Sequence, residues 1–391
     1  MRSVPSRYSL APAPRPVPTM TRPAPTPVTP FPHAELRLDV ARRRYFEHGE
    51  LPARDTVPPL ILASWQRCLA AGADPLRVPE TPTASRRRAR AVRQANTALL
   101  NAAQPDLDRL QQMLGATPVA AVLTDAAGVV AHATTPTRTE VRLLPRLIGV
   151  GVDLSETQVG TGTPGLLSTT GLACAVRGAE HFYQSARLMH CAAAPVRDAS
   201  GRLAGGLSLF SEHGPFAFDA AAIVAAYAAS IESRLLRAHP GDVLLVQVAA
   251  GPSMLDTPHE GLLGVAGDGR VAWRNGAAAA LCGEHATPGL PSPLELRTLL
   301  SLVGSAAPRL LNLPNGLGVW VCASFPEHAG APLPAAAPAM PPPADDGTLE
   351  AADARLIDAA LADHGGNVSR AARALGISRG RVYRHLRRRH G

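Results

Sequence analysis

The sequence predicts a multidomain α+β chain with helices first, two regions of short strands in the middle, and a small all-α module at the end. Three observations predict it. The chain has 391 residues, more than one ordinary domain holds. Two apolar runs broken by tight turns, Val119–Val130 and Gly261–Trp273, read as hairpins. The final stretch, Thr348–Gly391, breaks into three short apolar-periodic pieces at glycines. Hydrophobic residues reach 46% while aromatics reach only 4%, so the cores are built of small aliphatic side chains rather than those of a large all-β barrel.

Residues 1–33 carry proline at nearly every second position from Pro12 to Pro18 and from Pro23 to Pro27. They lack the apolar core of a secretion signal and read as a disordered leader, with Met20 as a second candidate start. Residues 34–115 read as helical: one stretch is Val57–Ala73, around Ser64-Trp65-Gln66-Arg67-Cys68. The other is Ala84–Leu114, where Val92, Leu99, Leu107, Leu110 and Leu114 keep helical spacing and Gly115 and Pro118 follow. Trp65 reads as an anchor packing the N-terminal helix on the mixed unit that follows, rather than as a ligand platform.

Residues 116–238 form the first mixed unit. Val119–Thr124, the turn Asp125-Ala-Ala-Gly128 and Val129-Val130 make a hairpin, Leu203–Phe210 is a strand, and a helix from about Asp219 to Arg237 closes the unit. Residues 240–325 repeat the theme in smaller form. Gly261–Val265, the turn Gly267-Asp-Gly269 and Arg270–Trp273 give another hairpin, Asn275–Leu281 a short alanine helix, and Gly318–Phe325 a strand. Residues 326–347 are a Pro/Ala-rich linker.

Thirty-nine basic residues against 31 acidic give a net charge of +8, which favours a polyanionic partner. Every basic residue is arginine. A chain without lysine has no Walker A phosphate loop and no Schiff-base chemistry. Cys68, Cys174, Cys191, Cys282 and Cys322 are scattered, without the clustered spacing of a zinc site or disulfide framework. No metal and no cofactor is expected. Asp219 interrupts the longest apolar run, so no membrane span is expected and the reading is cytoplasmic.

The terminal module carries the sharpest signal. Leu349, Leu356, Ile357, Ala360 and Leu361 line one helix, which Gly365-Gly366 ends. Asn367 caps a second helix burying Val368, Ala371, Ala372 and Leu375, and Gly376 stops it. Ser378 caps a third, with Val382 and Leu386 four apart on the buried side. Gly380, Arg381, Arg384, Arg387 and Arg388 then fall on the far face, with Arg379 and Tyr383 on a flank. Asn367–Gly391 holds eight arginines and no acidic residue. A basic run alone would fit a solvated face equally well. Joined to caps, turn and buried pair, it reads as a helix-turn-helix on double-stranded DNA. Arg381 and Arg384 are assigned to base edges, and Ser378, Arg379, Arg387 and Arg388 mainly to phosphates.

The string GNVSRAARALGISRGRVYRHL, Gly366–Leu386, resembles the Fis-type helix-turn-helix that ends many sigma-54-dependent activators. The remainder is similar to one branch of them, the acetoin-catabolism-type regulators. The likeness rests on Ser64–Cys68 with Gly72-Ala-Asp74-Pro75, on Asp153-Leu-Ser-Glu156 with Gly160-Thr161, on Glu180-His181-Phe182, and on Cys191-Ala-Ala-Ala-Pro195 with Asp198. The resemblance implies a GAF-like sensor domain over 116–238, a PAS-like domain over 240–325 and an all-α Fis-type module over 348–391. It also implies an AAA+ ATPase between sensor and helix-turn-helix, where this chain has only its linker. Gly162 stands where that family usually has Asn.

The same resemblance places Glu180, His181, Phe182 and Cys191 near a sensor pocket. A carboxylate, an imidazole and an aromatic face suit a small oxygenated ligand, and the same residues equally suit a capped turn and a core thiol. Cys191 beside His190, with Asp198 near, has the residue types of a nucleophile, base and orienter. Neighbours on a strand point to opposite faces, so no catalytic residue is assigned. The expectation is a ligand-responsive, sequence-specific transcription regulator, a homodimer on paired half-sites, not an enzyme. Its other expected contacts are a small-molecule effector and either RNA polymerase or a full-length activator. The alternative is a modulator acting through mixed oligomers with such an activator.

Overall fold

The computed structural model describes residues 34–79, 83–136, 144–212, 214–305 and 307–326, together with position 364. The chain divides into two compact units, Met1–Pro326 and Glu327–Gly391. The expected leader over 1–33, the linker beyond Pro326 and the helix-turn-helix lie outside the described residues.

Four helices come first: α1 (Ala34–His48), α2 (Pro59–Ala70), α3 (Arg86–Ala95) and α4 (Thr97–Leu114). Pro59 opens α2, where a missing N–H costs nothing. Ser85 caps α3 by accepting from the Arg88 N–H at 3.2 Å. The one long helix expected over 84–114 is two, because Asn96 leaves helical geometry at ψ 25°. Asn96 Nδ2 and the Thr97 hydroxyl then donate to the Val92 and Gln94 carbonyls at 2.8 and 2.9 Å. The Val92 carbonyl thus accepts from both the Asn96 backbone N–H, at 3.1 Å, and its side chain, while the Thr97 hydroxyl serves the Gln94 carbonyl at the break.

The first sheet contains β1 (Val119–Asp125), β2 (Val130–Ala133), β3 (Cys174–Arg177), β4 (His190–Arg197) and β5 (Leu203–Ser211). It is antiparallel throughout, in the order β2-β1-β5-β4-β3. Short helices α5 (Leu144–Leu147), α6 (Glu156–Val159) and α7 (Thr163–Thr170) lie between β2 and β3, and α8 (Ala220–Arg237) follows β5. Asp219 caps α8 through the Ala222 N–H at 3.0 Å.

Strand alternation sorts the side chains into two cores. Val119, Ala121, Leu123, Leu207 and Leu209 pack under α4 and α8 with Leu107, Leu110, Val224 and Ile231. Ala120, Val122, Cys191 and Phe210 face the other way, toward Leu144, Val152, Leu154 and Met189. Both faces are covered, so these strands show continuous apolar runs rather than polar alternation. Each fully buried leucine contributes about 2 kcal/mol by the area it removes from water.

The second sheet contains β6 (Val243–Ala249), β7 (Gly261–Ala266), β8 (Val271–Arg274), β9 (Arg309–Asn312) and β10 (Gly318–Ser324), with α9 (Gly276–Cys282) and α10 (Leu296–Leu300). It too is antiparallel, in the order β8-β7-β6-β10-β9. The neighbour pattern matches the first sheet, except that the central strand comes first in the chain instead of last. Asn275 organises the β8–α9 corner: its Oδ1 accepts from Ala278 and Leu262 N–H at 2.9 Å, and its Nδ2 donates to the Glu260 carbonyl at 2.9 Å. The end of α8 joins the two sheets, because Leu236 packs with Leu245, Leu262 and Trp273.

Candidate functional site

The face of the first sheet opposite α4 and α8 borders a partly open cavity of ≈ 120 Å³. Cys191 and Phe210 form its floor, Leu147, Leu154 and Val159 one wall, and His181 and Met189 another. Thr161, Gly162 and Pro164, around the start of α7, close a further side. The lining is almost wholly apolar, which suits a small ligand with a few oriented polar contacts.

His181 and Cys191 are brought together here. A 3-10 turn, Gly178–Glu180, swings His181 over β4, so that its Nε2 lies 3.6 Å from Cys191 Sγ. The other ring nitrogen, Nδ1, is 3.1 Å from the Gly178 carbonyl oxygen. A carbonyl only accepts, so Nδ1 carries the hydrogen and Nε2 presents its lone pair to the thiol. Burial pushes the His181 pKa down to about 4 against the opposing Gly178 bond, with smaller lowering contributions from the charges of His190 and Arg42. Burial likewise raises the Cys191 thiol well above its ordinary range. The pair is a neutral imidazole beside a neutral thiol, without the thiolate a nucleophile needs. His190, the sequence neighbour, pairs with Ser211 across the strands while Cys191 pairs with Phe210. Asp198 is engaged in its own turn, accepting from the Ser200 hydroxyl at 2.6 Å and from the Ser200 and Arg202 N–H groups.

Glu180 and Phe182 do not line this cavity. The Glu180 carboxylate accepts from the Arg177 N–H at 2.7 Å, and burial raises its pKa. It faces a separate hollow beside Arg187 and His190. Phe182 is fully buried in an aromatic cluster, its ring 5.4 Å from Phe46 and 5.1 Å from Tyr183. Three consecutive residues therefore serve three different places.

The first two helices brace the cavity walls, through Arg42, which lies outside every quoted motif, and through Ser64, Trp65 and Arg67 of the Ser64–Cys68 string. Arg42, buried in α1, donates to the carbonyls of His181 and Phe182 at 2.6 and 2.5 Å. Its guanidinium sits 4.7 Å from the centre of the Phe46 ring. Burial lowers the Arg42 pKa to about 10, which still leaves it charged at neutral pH. Trp65 donates from Nε1 to the Glu180 carbonyl at 2.8 Å. On the opposite wall Arg67 grips both carboxylate oxygens of Glu156 at 2.7 Å. Ser64 donates to Glu156 at 2.6 Å and lies 2.7 Å from the Thr161 hydroxyl. The loops bearing His181 and Thr161 are thus both tied to the N-terminal helices.

The family described as "MimR, N-terminal domain" matches residues 36–233, more than half of the 391-residue chain. The chain belongs to the MimR N-terminal domain family. The family of Fis-type bacterial regulatory proteins matches residues 348–388 of this MimR-family chain. Asn367, Ser378, Arg379, Gly380, Arg381, Tyr383, Arg384, Arg387 and Arg388 all fall in that match and outside the described residues.

Two relatives are similar to this MimR-family chain along part of its length. The acetoin catabolism regulatory protein of Cupriavidus necator is 29% identical over 255 residues, covering 61% of this chain and 38% of the relative. The propane 2-monooxygenase operon transcriptional activator MimR of Mycolicibacterium goodii is 30% identical over 166 residues, 40% of this chain and 26% of the relative. The chain therefore spans well under half the length of the relatives it matches. A solved structure, the E. coli DhaR(N)–DhaL complex, gives a TM-score of 0.42 at 17% identity, covering 68% of this chain and 98% of that one. Among the described residues, no helix is long and apolar enough to cross a membrane. Within the same residues, no group of three or more His, Cys, Asp or Glu side chains is placed to hold a metal ion.

Proposed function

We propose that this MimR-family chain is a ligand-responsive transcription regulator. Its first sheet is a GAF-like sensor domain over 116–238, its second a PAS-like domain over 240–325, and 348–391 the module that binds double-stranded DNA as a homodimer. The observation that carries the reading is the apolar cavity at His181 and Cys191, in a chain whose end matches Fis-type regulatory proteins. The regulatory names of both relatives support it.

The route from cavity to DNA starts at the sheet. A ligand on the Cys191–Phe210 face presses on strands whose other face carries α8. The last residues of α8 are held by the second sheet, so a shift of α8 reaches that sheet. A ligand acts only through its different affinity for the two arrangements. Because the chain has no lysine, it has no Walker A loop, and regulation by operator occupancy follows.

DNA affinity selection with the purified chain, followed by footprinting, tests the reading. A protected site without any partner protein is expected. Binding that is non-specific and steeply salt-dependent would favour a modulator that acts in mixed oligomers with a full-length activator.

A further inference from the structure

We propose that α3 is a second, sequence-independent contact with DNA, whose arginines rest on duplex phosphates. This rests on the DNA-binding reading of the chain and adds to it a surface of the first unit.

Arginine makes up 39 of the 391 residues of the chain but five of the ten in α3: Arg86, Arg87, Arg88, Arg90 and Arg93. No acidic residue stands among them. At about 100° per residue, Arg86, Arg87, Arg90 and Arg93 fall within an arc of about 120°. All four are exposed. Among the described residues, only Arg88 of the five meets a carboxylate, that of Asp153 at 3.3 Å, and Arg88 lies off the arc. Arg93 marks its edge: burial and then the Arg93 charge lower the His132 pKa, which Asp108 opposes.

The charge sits where helix physics resists it. Arg86, Arg87 and Arg88 fill the first turn, the positive end of the helix dipole, with no acid to offset them. Arg86 and Arg90 also repel at i, i+4. A face kept for solubility alone would mix both signs of charge. A bound anion relieves both oppositions.

The helix is nonetheless held firmly. Its other side carries Ala89 and Val92, both half-buried, and faces β2. Gly151 lets the neighbouring loop come close, since a Cβ there would lie 3.0 Å from Ala84 Cβ and 3.1 Å from the Ala89 nitrogen. Arg88 grips the same loop at Asp153. That loop runs on to Leu154 in the cavity wall, so a duplex on α3 touches the element beside the sensor cavity.

Duplex phosphates suit this face better than other polyanions. Arg86 to Arg93 covers about 10 Å at about 1.5 Å per residue, or about three phosphates of one strand at about 3.4 Å each. No aromatic side chain is present in α3 for single-stranded bases to stack on. Its one large apolar residue, Val92, is off the arc, so the helix lacks the apolar face that enters lipid.

The test uses the full chain and a mixed-sequence duplex of about 40 base pairs, four helical turns, across a salt series. Arg86→Gln, Arg87→Gln and Arg90→Gln together remove three exposed charges and keep good helix formers. The slope of log affinity against log salt should become shallower by about 2–3 per bound chain, at about 0.9 per phosphate contact. Arg86→Lys, Arg87→Lys and Arg90→Lys together should retain the slope. Should the glutamine variant fail to fold, phenylglyoxal labelling of the unaltered chain still decides. Bound duplex should shield Arg86, Arg87 and Arg90 but not the exposed Arg54. An unchanged slope, or unshielded α3 arginines while duplex is bound, overturns the inference and leaves the terminal module's DNA reading standing. Phosphatidylserine vesicles that lose binding with the glutamine changes, while the duplex does not, make the partner a lipid surface and overturn it too. Binding of no duplex by the unaltered chain overturns both readings.

Discussion

Nη2 of Arg237, the last residue of α8, lies 2.6 Å from Oε1 of the buried Glu260 carboxylate, beside the first strand of the second hairpin. The other carboxylate oxygen accepts from Gln247 Nε2 at 2.9 Å and from the Asp256 N–H at 2.8 Å. A helix from one sheet thus ends on a buried anion of the other. A cation in the last turn also complements the helix dipole. Arg237→Leu strands that carboxylate and is expected to cost about 3 kcal/mol in chemical denaturation. Arg237→Leu with Glu260→Leu should cost clearly less than the single change. Equal losses would mean that the charges do not act as a pair.

Arg42→Met keeps much of the side-chain length and removes the donors that hold the His181 and Phe182 carbonyls. Those acceptors become buried without a partner, a loss of roughly 2–4 kcal/mol. Amide hydrogen exchange should speed up in residues 178–183 more than in β1 or β5. Uniform acceleration through the first sheet would refute a local brace.

The pKa of His181 falls from the ordinary 6.5 to about 4 on folding. Between those values the unfolded chain binds the extra proton, so stability rises with pH through that window. The contribution is complete above pH 6.5 and is lost as pH falls toward 4. Its size is roughly 3 kcal/mol, because each tenfold change in proton affinity is worth about 1.4 kcal/mol. Unfolding titrations of the chain and of His181→Phe should differ in slope between those pH values. Parallel curves would show that His181 titrates normally.

On the DNA side, Arg381→Ala is expected to relax base preference at one operator position, at a cost of about 1–3 kcal/mol. Arg388→Ala should weaken all duplexes alike and make the salt slope shallower by about one. If neither change affects binding to any duplex, the named face is not the recognition face.

What the sequence displayed depended on distance along the chain. The turns Asp125–Gly128 and Gly267–Gly269 announced both hairpins, and Asp219 and Asn275 marked the starts of α8 and α9. β6 was harder to see, because Val-Leu-Leu-Val-Gln-Val-Ala is nearly continuous in apolar residues and does not alternate. β3 and β9 are four residues each, too short to show a period.

The site was legible only in part. His181 and Cys191 meet because a turn folds one over the other, ten residues away. Glu180 and Phe182 flank His181 in sequence and turn elsewhere. Arg42 with His181, and Ser64 with Thr161, are long-range pairs that no local period encodes.

The brace has a consequence for synthesis. Arg42 emerges from the ribosome 139 residues before His181, whose carbonyl it holds. At roughly 5–20 residues per second, that gap lasts from about 7 to 28 s. Through it α1 and α2 can gather Tyr45, Phe46 and Trp65 among themselves, but their partners Val176 and Phe182 do not yet exist. The nascent chain therefore carries an uncovered aromatic surface until residues 176–183 are made. The loop bearing His181, and with it one wall of the cavity, is built on that surface last.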